Sequence, residues 1–517
     1  MIDFFLQKSL SRLEILKSNL TPTLLKTIHI NVYRNHAFES METMLNKFLA
    51  VSGLQASFSY SDYDDSFNFS GNLENADLNI VWIDFSHYKD SNITVWFQER
   101  IRHLRQHTAK PILVYYIGLD DLKLEGAVTA NSANIQQTLK ESFYDYEKAE
   151  YSGTNLSAKA LVKIAQELGL KYIPSFFKTP LKAVMVDLDN TLYKGILGED
   201  GIDGVIPNQA FQCQLKALKD EGVLLAFVSK NEYEDAHKLF EQRKDFVLKW
   251  DDFASHHASW ESKAVAIERI TKQFNIGLDS VLFVDDNPGE IQCVNQGLPE
   301  VHTLLADEDL CYKFDLYPLL KRYQRTQEDI LRQSDIQASQ KRQSLRDALD
   351  TEAYFKDLKM SLSFYLDKKE HFERALQLMN KANQFIFSFK RYTVDGIKND
   401  QHILTIQLKD RLSNSGIIGV MVASNTENCL KIDELVISCR ALGRQIETLM
   451  LNVGFQYLAK ALKTADDLLI DFAIGPRNRP AQTWLEAYTQ QEITGNHLVR
   501  TKLRTIETNP FVQLQFL

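Results

Sequence analysis

Cysteine is scarce in this chain, with five residues in 517: Cys213, Cys293, Cys311, Cys429 and Cys439. Their number is odd and their spacing is not that of a metal knuckle, which argues against a disulfide framework and for reduced thiols. A basic excess is also missing. Lys and Arg number 59 against 68 Asp and Glu, for a formal charge of −9 and a pI near 5.8, so the whole chain carries no electrostatic footprint for nucleic acid. No apolar run approaches the roughly 18 to 20 residues of a membrane span. The start, Met1-Ile2-Asp3-Phe4-Phe5, lacks the basic n-region and long apolar core of a secretory leader. The expectation is a cytoplasmic protein with neither nucleic acid nor membrane as partner.

What is present points to several α/β domains. Hydrophobic residues make up 44% of the chain, enough for a core in each of the roughly three or four units that its length suggests. Ala183-Val184-Met185-Val186 reads as a buried strand that ends in Asp187-Leu188-Asp189-Asn190-Thr191. At the C-terminal edge of a parallel sheet such a tip opens into a ligand crevice. Two carboxylates one residue apart repel unless a cation lies between them, and Mg²⁺ suits hard oxygen donors and phosphate together. A Gly-rich charged insertion follows, from Tyr193 to Gly201, too irregular for a helix and therefore a flap candidate. Then come a second apolar strand, Val223 to Val228, delivering Ser229-Lys230-Asn231, and Lys263 at a helix start. A third strand, Ser280 to Val284, ends in Asp285-Asp286-Asn287-Pro288. Between the second strand and Lys263, His256 and His257 read as polar loop residues.

These elements in this order resemble the haloacid-dehalogenase-like (HAD) phosphotransferases. The resemblance implies that Asp187 is the nucleophile and Asp189 the general acid and base. Ser229 would hydrogen-bond a phosphoryl oxygen and Lys263 would supply fixed positive charge. Asp286 would complete a Mg²⁺ site with the Asp187 carboxylate and the Asp189 carbonyl. Thr191, Asn231, Asp285 and Asn287 are implied as substrate contacts, with Glu290 a further candidate.

Residues 1–178 read as a first α/β domain. Strands are expected at Thr27 to Tyr33, Leu78 to Ile83 and Pro111 to Ile117, and helices at Met41 to Val51 and Trp96 to His107. Gly153-Thr154-Asn155-Leu156-Ser157, before an amphipathic helix from Ala158 to Leu168, resembles the last block of SGNH-type hydrolases. Ser152 and Asn155 stand where that family has Asp and His, which implies a catalytically dead relative. Asp84 and His87, at a strand end, are candidates for ligand contact.

Within the HAD superfamily the chain resembles the FkbH-like branch. The likeness rests on Asp187 to Leu192, Gly195 to Gly201, Ser229-Lys230-Asn231 and Phe283 to Pro288. It continues in Thr326-Gln327-Glu328-Asp329, Asn383-Gln384-Phe385, Gly416 to Val420 and Ser438-Cys439-Arg440-Ala441-Leu442-Gly443-Arg444. The resemblance implies a HAD-like domain over 179–325, a helical linker over 326–350 and a last domain over 351–517. It further implies transfer of a glyceryl group from 1,3-bisphosphoglycerate, through a thioester, to the phosphopantetheine arm of an acyl carrier protein. Val228 stands where the family commonly has Cys, which leaves Cys439 as the candidate for acyl attachment. The last domain has the element order of an N-acetyltransferase-like (GNAT) fold, whose helix-start turn would offer Arg440, Gly443 and Arg444 to a pantetheine arm. Gln445 replaces the second glycine of that turn. The alternatives are a plain small-molecule phosphatase with binding-only flanking domains, and a non-catalytic scaffold.

Overall fold

In the computed structural model the first sheet is built from β1 (Lys26–Arg34), β2 (Leu54–Tyr63), β3 (Leu78–Asp84), β4 (Ile112–Ile117) and β5 (Val128–Asn131). The structure describes all residues except 1, 19–24, 70–75, 90–91, 324–337, 339–341, 343–344, 347–349, 383, 391, 394–395, 398–399, 439–440, 443, 476–477, 496 and 506–508. The strands run in the order β2-β1-β3-β4-β5, every pairing parallel. β3 and β4 are buried along their whole length, which is why they read as unbroken apolar runs. β2 was not anticipated: it is an edge strand whose Ser and Gln residues alternate with apolar ones, and it is largely exposed at its far end. Ser157 caps the helix Ala158–Gln166 by accepting from Ala160 N, and that helix passes directly into a π-helical turn, Glu167–Tyr172.

The second sheet comprises β6 (Ala183–Val186), β9 (Leu224–Ser229), β10 (Ser255–Ala258), β11 (Val281–Asp285) and β12 (His302–Leu305). Between β6 and β9 lies a ribbon of β7 (Tyr193–Lys194) and β8 (Ile206–Pro207). The sheet order is β10-β9-β6-β11-β12, again all parallel. Chain order thus reverses between β6 and β11, the position where open α/β sheets leave a crevice.

Two expectations need correction here. The insertion after Thr191 is not irregular throughout: the antiparallel β7–β8 pair closes it, and a helix, Leu197–Gly204, lies inside it, broken at Gly201 (φ 70°, ψ 177°). Glu199 and Asp200 favour its first turn through the helix dipole, and glycine alone takes the break without strain. His256 and His257 lie on β10, an edge strand, not in a loop. The His256 ring stacks on Trp250 at 4.0 Å with planes 5° apart, and its Nε2 lies 2.9 Å from Trp250 O.

Both sheets belong to one compact unit, Met1–Ile267 with Leu278–Arg325. One apolar cluster runs through it from Phe5 and Phe48 through Trp82 and Val186 to Phe314 and Leu320, and another, with Tyr33, Val81 and Phe97, packs on the first sheet.

The other unit, Glu268–Gly277 with Thr326–Leu517, holds β13 (Ser361–Leu366), β14 (Phe385–Ile386), β15 (His402–Lys409), β16 (Asn414–Thr426) and β17 (Cys429–Ile437). It also holds β18 (Asp467–Phe472), β19 (His497–Lys502) and β20 (Gln513–Phe516). The order is β19-β18-β17-β16-β15-β13-β20, with β14 added to β17. Helix Phe372–Lys381 clusters with Ile403, Val420 and Val422, and helix Glu447–Leu462 with Leu404, Ile406 and Met421. Alternate residues of a strand face opposite ways, so the two helices cover opposite faces of this sheet. The expected polar helix from Thr326 towards Asp347 lies almost wholly outside the described residues. No helix among the described residues is long and apolar enough to cross a membrane.

Candidate functional site

Register sets the site. Val186 of β6 pairs with Val284 of β11, and Asp187 N donates to Val284 O at 2.9 Å. Asp187 and Asp285 therefore leave the sheet level with one another. Lys263, the first residue of helix Lys263–Phe274, places Nζ 3.0 Å from Asp187 Oδ1 and 2.6 Å from Asp285 Oδ2. All three residues are buried. Asp286 is half-buried beside them, and one carboxylate oxygen each from Asp187, Asp285 and Asp286 lie within 4.8 Å of one another.

This cluster is short of positive charge. Burial pushes the Asp187 carboxyl up, Lys263 opposes that, and Asp285 adds to it. Asp285 and Asp286 are likewise raised, burial being the largest cause in each. Burial works against the Lys263 ammonium, but Asp187 and Asp285 outweigh it and hold its pKa above the ordinary value. One ammonium among three carboxylates leaves room for a further cation, and an all-oxygen donor set suits a hard divalent one. Asp187 Oδ1, fully buried, has Lys263 as its ion-pair partner but no well-aligned hydrogen bond among the described residues.

Asp189 points elsewhere. Its Oδ1 accepts from Tyr193 Oη at 2.6 Å and from Leu197 N at 3.0 Å, and its Oδ2 accepts from Asn231 Nδ2 at 2.9 Å. Three elements thus hold one carboxylate in a single orientation. Asn231 Nδ2 also donates to Ser229 Oγ at 3.0 Å, which ties the tip of β9 to the tip of β6. Thr191 Oγ1 is buried and has no hydrogen-bond partner among the described residues.

The remaining expected residues are dispersed. Asp285, expected against substrate, is wholly buried, its Oδ1 taking Asn287 N at 2.9 Å and its Oδ2 taking Lys263. It anchors the lysine and joins Asp187 and Asp286 in the carboxylate cluster, where the expected set was the Asp187 and Asp286 carboxylates with the Asp189 carbonyl. Asn287 is exposed and caps helix Pro288–Gly297, its Oδ1 accepting from Gly289 N at 2.8 Å. Glu290 pairs with Lys230 of the β9 tip.

Four of them, Cys439, Arg440, Gly443 and Arg444, belong to the other unit. Cys439, Arg440 and Gly443 lie outside the described residues. Arg444, expected to face a carrier's arm, is buried instead, donating to Asp410 Oδ2 at 3.3 Å and to Ser415 Oγ at 2.9 Å. A buried carboxylate holds a guanidinium inward because either charge left alone in the interior is costly. Val228 is likewise buried in β9. In the first sheet, Asp84 Oδ1 accepts from Ser86 N at 2.9 Å and His87 Nδ1 lies 3.3 Å from Asp65 Oδ1.

Tyr193 is the residue that sequence reasoning passed over. An aromatic with a hydroxyl, opening the insertion four positions after Asp189, was the available signal. Leu197 N could not have been found, because a backbone donor leaves no trace in residue identity.

The fold is α/β and multidomain, with a Rossmann-type parallel core in its second sheet. No family model and no curated relative matches the chain. Among solved structures, the N-terminal part of the protein BF1531 from Bacteroides fragilis, described as containing a phosphatase domain complexed with Mg, is similar at 20% identity with a TM-score of 0.50. The similarity covers 60% of this chain and 100% of that one, and at such identity it speaks for the fold alone. A HAD-superfamily hydrolase from Ehrlichia chaffeensis matches at 15% identity over 27% of this chain and 98% of its own, TM-score 0.21. A HAD-like phosphatase from Mesorhizobium loti matches at 14% over 29% and 91%, TM-score 0.20. The last two scores are too low to bear on this chain.

Proposed function

We propose that this chain is a Mg²⁺-dependent phosphatase of phosphorylated small molecules, working through residues 179–325 with Asp187 as nucleophile. The observation that carries this reading is the convergence of Asp187, Lys263, Asp285 and Asp286 at the β6/β11 switch point. A fold shared with a phosphatase domain complexed with Mg supports it.

In this reading an Asp187 oxygen attacks phosphorus while the bond from phosphorus to the leaving oxygen breaks. Asp189, held by Tyr193 and Asn231, gives the departing oxygen a proton. It then takes one from the water that attacks the aspartyl-phosphate, releasing phosphate and restoring Asp187. Ser229, Asn231 and Thr191 offer hydrogen bonds to phosphoryl oxygens, and Lys263 sets a fixed positive charge beside the attacking carboxylate. Asp187, Asp286 and the Asp189 carbonyl would hold Mg²⁺, which supplies neutralising charge when bound.

The finer reading adds acyl transfer. Residues 351–517 would receive the glyceryl group of a 1,3-bisphosphoglycerate-like donor and pass it, through Cys439, to an acyl carrier protein docked at Arg440 and Gly443. Residues 1–178 and the linker 326–350 would complete such an enzyme. The motif order from Asp187 to Arg444 supports it. The plain-phosphatase reading is favoured by one observation, the enclosure of Arg444 with Asp410.

The test incubates wild type and Asp187→Asn with Mg²⁺, 1,3-bisphosphoglycerate and a holo carrier protein, following phosphate release and intact mass. Phosphate release should fall by about 10⁴-fold in the variant, the scale on which a nucleophile's removal acts. A glyceryl adduct supports transfer, and phosphate release without one supports the plain phosphatase. Equal release by the two proteins overturns both.

A further inference from the structure

Trp260 is 71% exposed. A single exposed apolar side chain is ordinary on a protein surface, but this one is fixed and stands beside the carboxylate site. Its indole Nε1 donates to Glu232 Oε1 at 3.0 Å. A hydrogen bond at the ring edge holds the indole in one orientation and leaves its faces to solvent.

The chain tethers Trp260 to the site from both sides. Ser259 N donates to Ser229 O at 3.0 Å, so the segment after β10 starts level with the tip of β9. Three residues beyond Trp260, Lys263 reaches Asp187 and Asp285. Glu232, which holds the indole, directly follows Asn231, which holds Asp189. Trp260 therefore stands at the rim of the site, on its β10 side. Tyr233 and Ile196, also exposed, adjoin Glu232 and Leu197 in the chain, so apolar groups recur around a strongly polar floor. In the order β10-β9-β6, two strand spacings, roughly 10 Å, separate β10 from β6. A ring joined directly to the phosphate oxygen falls short of that distance, and a ring carried on a sugar spans it.

We propose that Trp260 is a stacking platform for the leaving group and that the substrate is a nucleoside monophosphate, with its base on the indole and its phosphate at Asp187. This rests on the phosphatase reading and names its substrate class. Every base has a π-face, so an indole platform accepts a nucleobase without selecting its identity. The phosphoryl group passes to Asp187, the nucleoside oxygen leaves with the Asp189 proton, and water releases phosphate. The glyceryl donor of the finer reading has no ring to place on Trp260.

The test compares Mg²⁺-dependent phosphate release from adenosine monophosphate and from ribose 5-phosphate, which lacks the base, by the full chain. Wild type should favour the nucleotide in kcat/KM by at least tenfold, the scale of one base–aromatic stack. Trp260→Ala should lose that preference through a higher KM for the nucleotide, with ribose 5-phosphate hydrolysed as before. The unchanged sugar-phosphate rate guards against a folding defect. Trp260→Phe, which keeps an aromatic face, should retain most of the preference. Equal kcat/KM for the two substrates in wild type, a nucleotide preference that survives Trp260→Ala, or a parallel loss on both substrates in that variant would overturn the platform and leave the phosphatase reading standing. No release from either substrate would overturn both.

Discussion

Lys263 donates to Asp285 at 2.6 Å in an ion pair where the lysine is 4% exposed and the aspartate 0%. Removing one partner of such a pair strands the other, at a cost of about 3–5 kcal/mol. Lys263→Met should lose that much in urea unfolding measured with EDTA. Because a divalent cation would replace the missing charge, added Mg²⁺ should restore more stability to the variant than it adds to wild type. An equal increment in the two proteins would show that the cation does not share the cluster.

Metal removal tests the cluster directly. If Asp187 and Asp286, with the Asp189 carbonyl, hold one cation, Mg²⁺ at a hundredfold excess over its Kd stabilises wild type by about 2.7 kcal/mol. Asp286→Asn should lose most of this increment. In EDTA it should be no less stable than wild type, since the raised pKa of Asp286 reflects burial and the neighbouring Asp285. Thermal unfolding of both proteins, with and without Mg²⁺, reads both effects.

Tyr193→Phe deletes one of three donors on Asp189 and nothing that touches the carboxylate cluster. The stability cost should be about 1 kcal/mol. As a positioning residue it should lower kcat for phosphate release by about tenfold or more while KM changes little. A change confined to KM would detach Tyr193 from the chemical step.

Glu167 gives a pH signature. Burial raises its carboxyl from the ordinary 4.5 to about 7, with Lys171 opposing. Between those values the native chain keeps a proton that the unfolded chain has lost, so stability falls as pH rises through this window. Wild type should therefore lose stability relative to Glu167→Gln by on the order of 1 kcal/mol per pH unit between pH 5 and 7. The difference should level off above the window. Parallel urea titrations across this range check the sign.

Much of the second sheet is legible before folding. β6, β9 and β11 are covered on both faces, which demands unbroken apolar runs, and their polar residues are confined to the tips, where Asp187, Ser229 and Asp285 fall. β2 and β10 escape because edge strands need no such run, and the helix Leu197–Gly204 because Gly201 divides it into pieces too short for a periodic pattern. Arg444 misleads for a related reason: an arginine after a strand reads as a surface cation until Asp410 is seen to enclose it.

The sequence by itself determined which chemical groups stand at which strand tips, since each strand's burial writes its own local pattern. Which groups meet was decided only by tertiary structure. The pairing of Val186 with Val284 sets Asp187 level with Asp285, and the start of helix Lys263–Phe274 brings the ammonium between them. Strand adjacency joins residues far apart in the chain, and residue order carries no record of it.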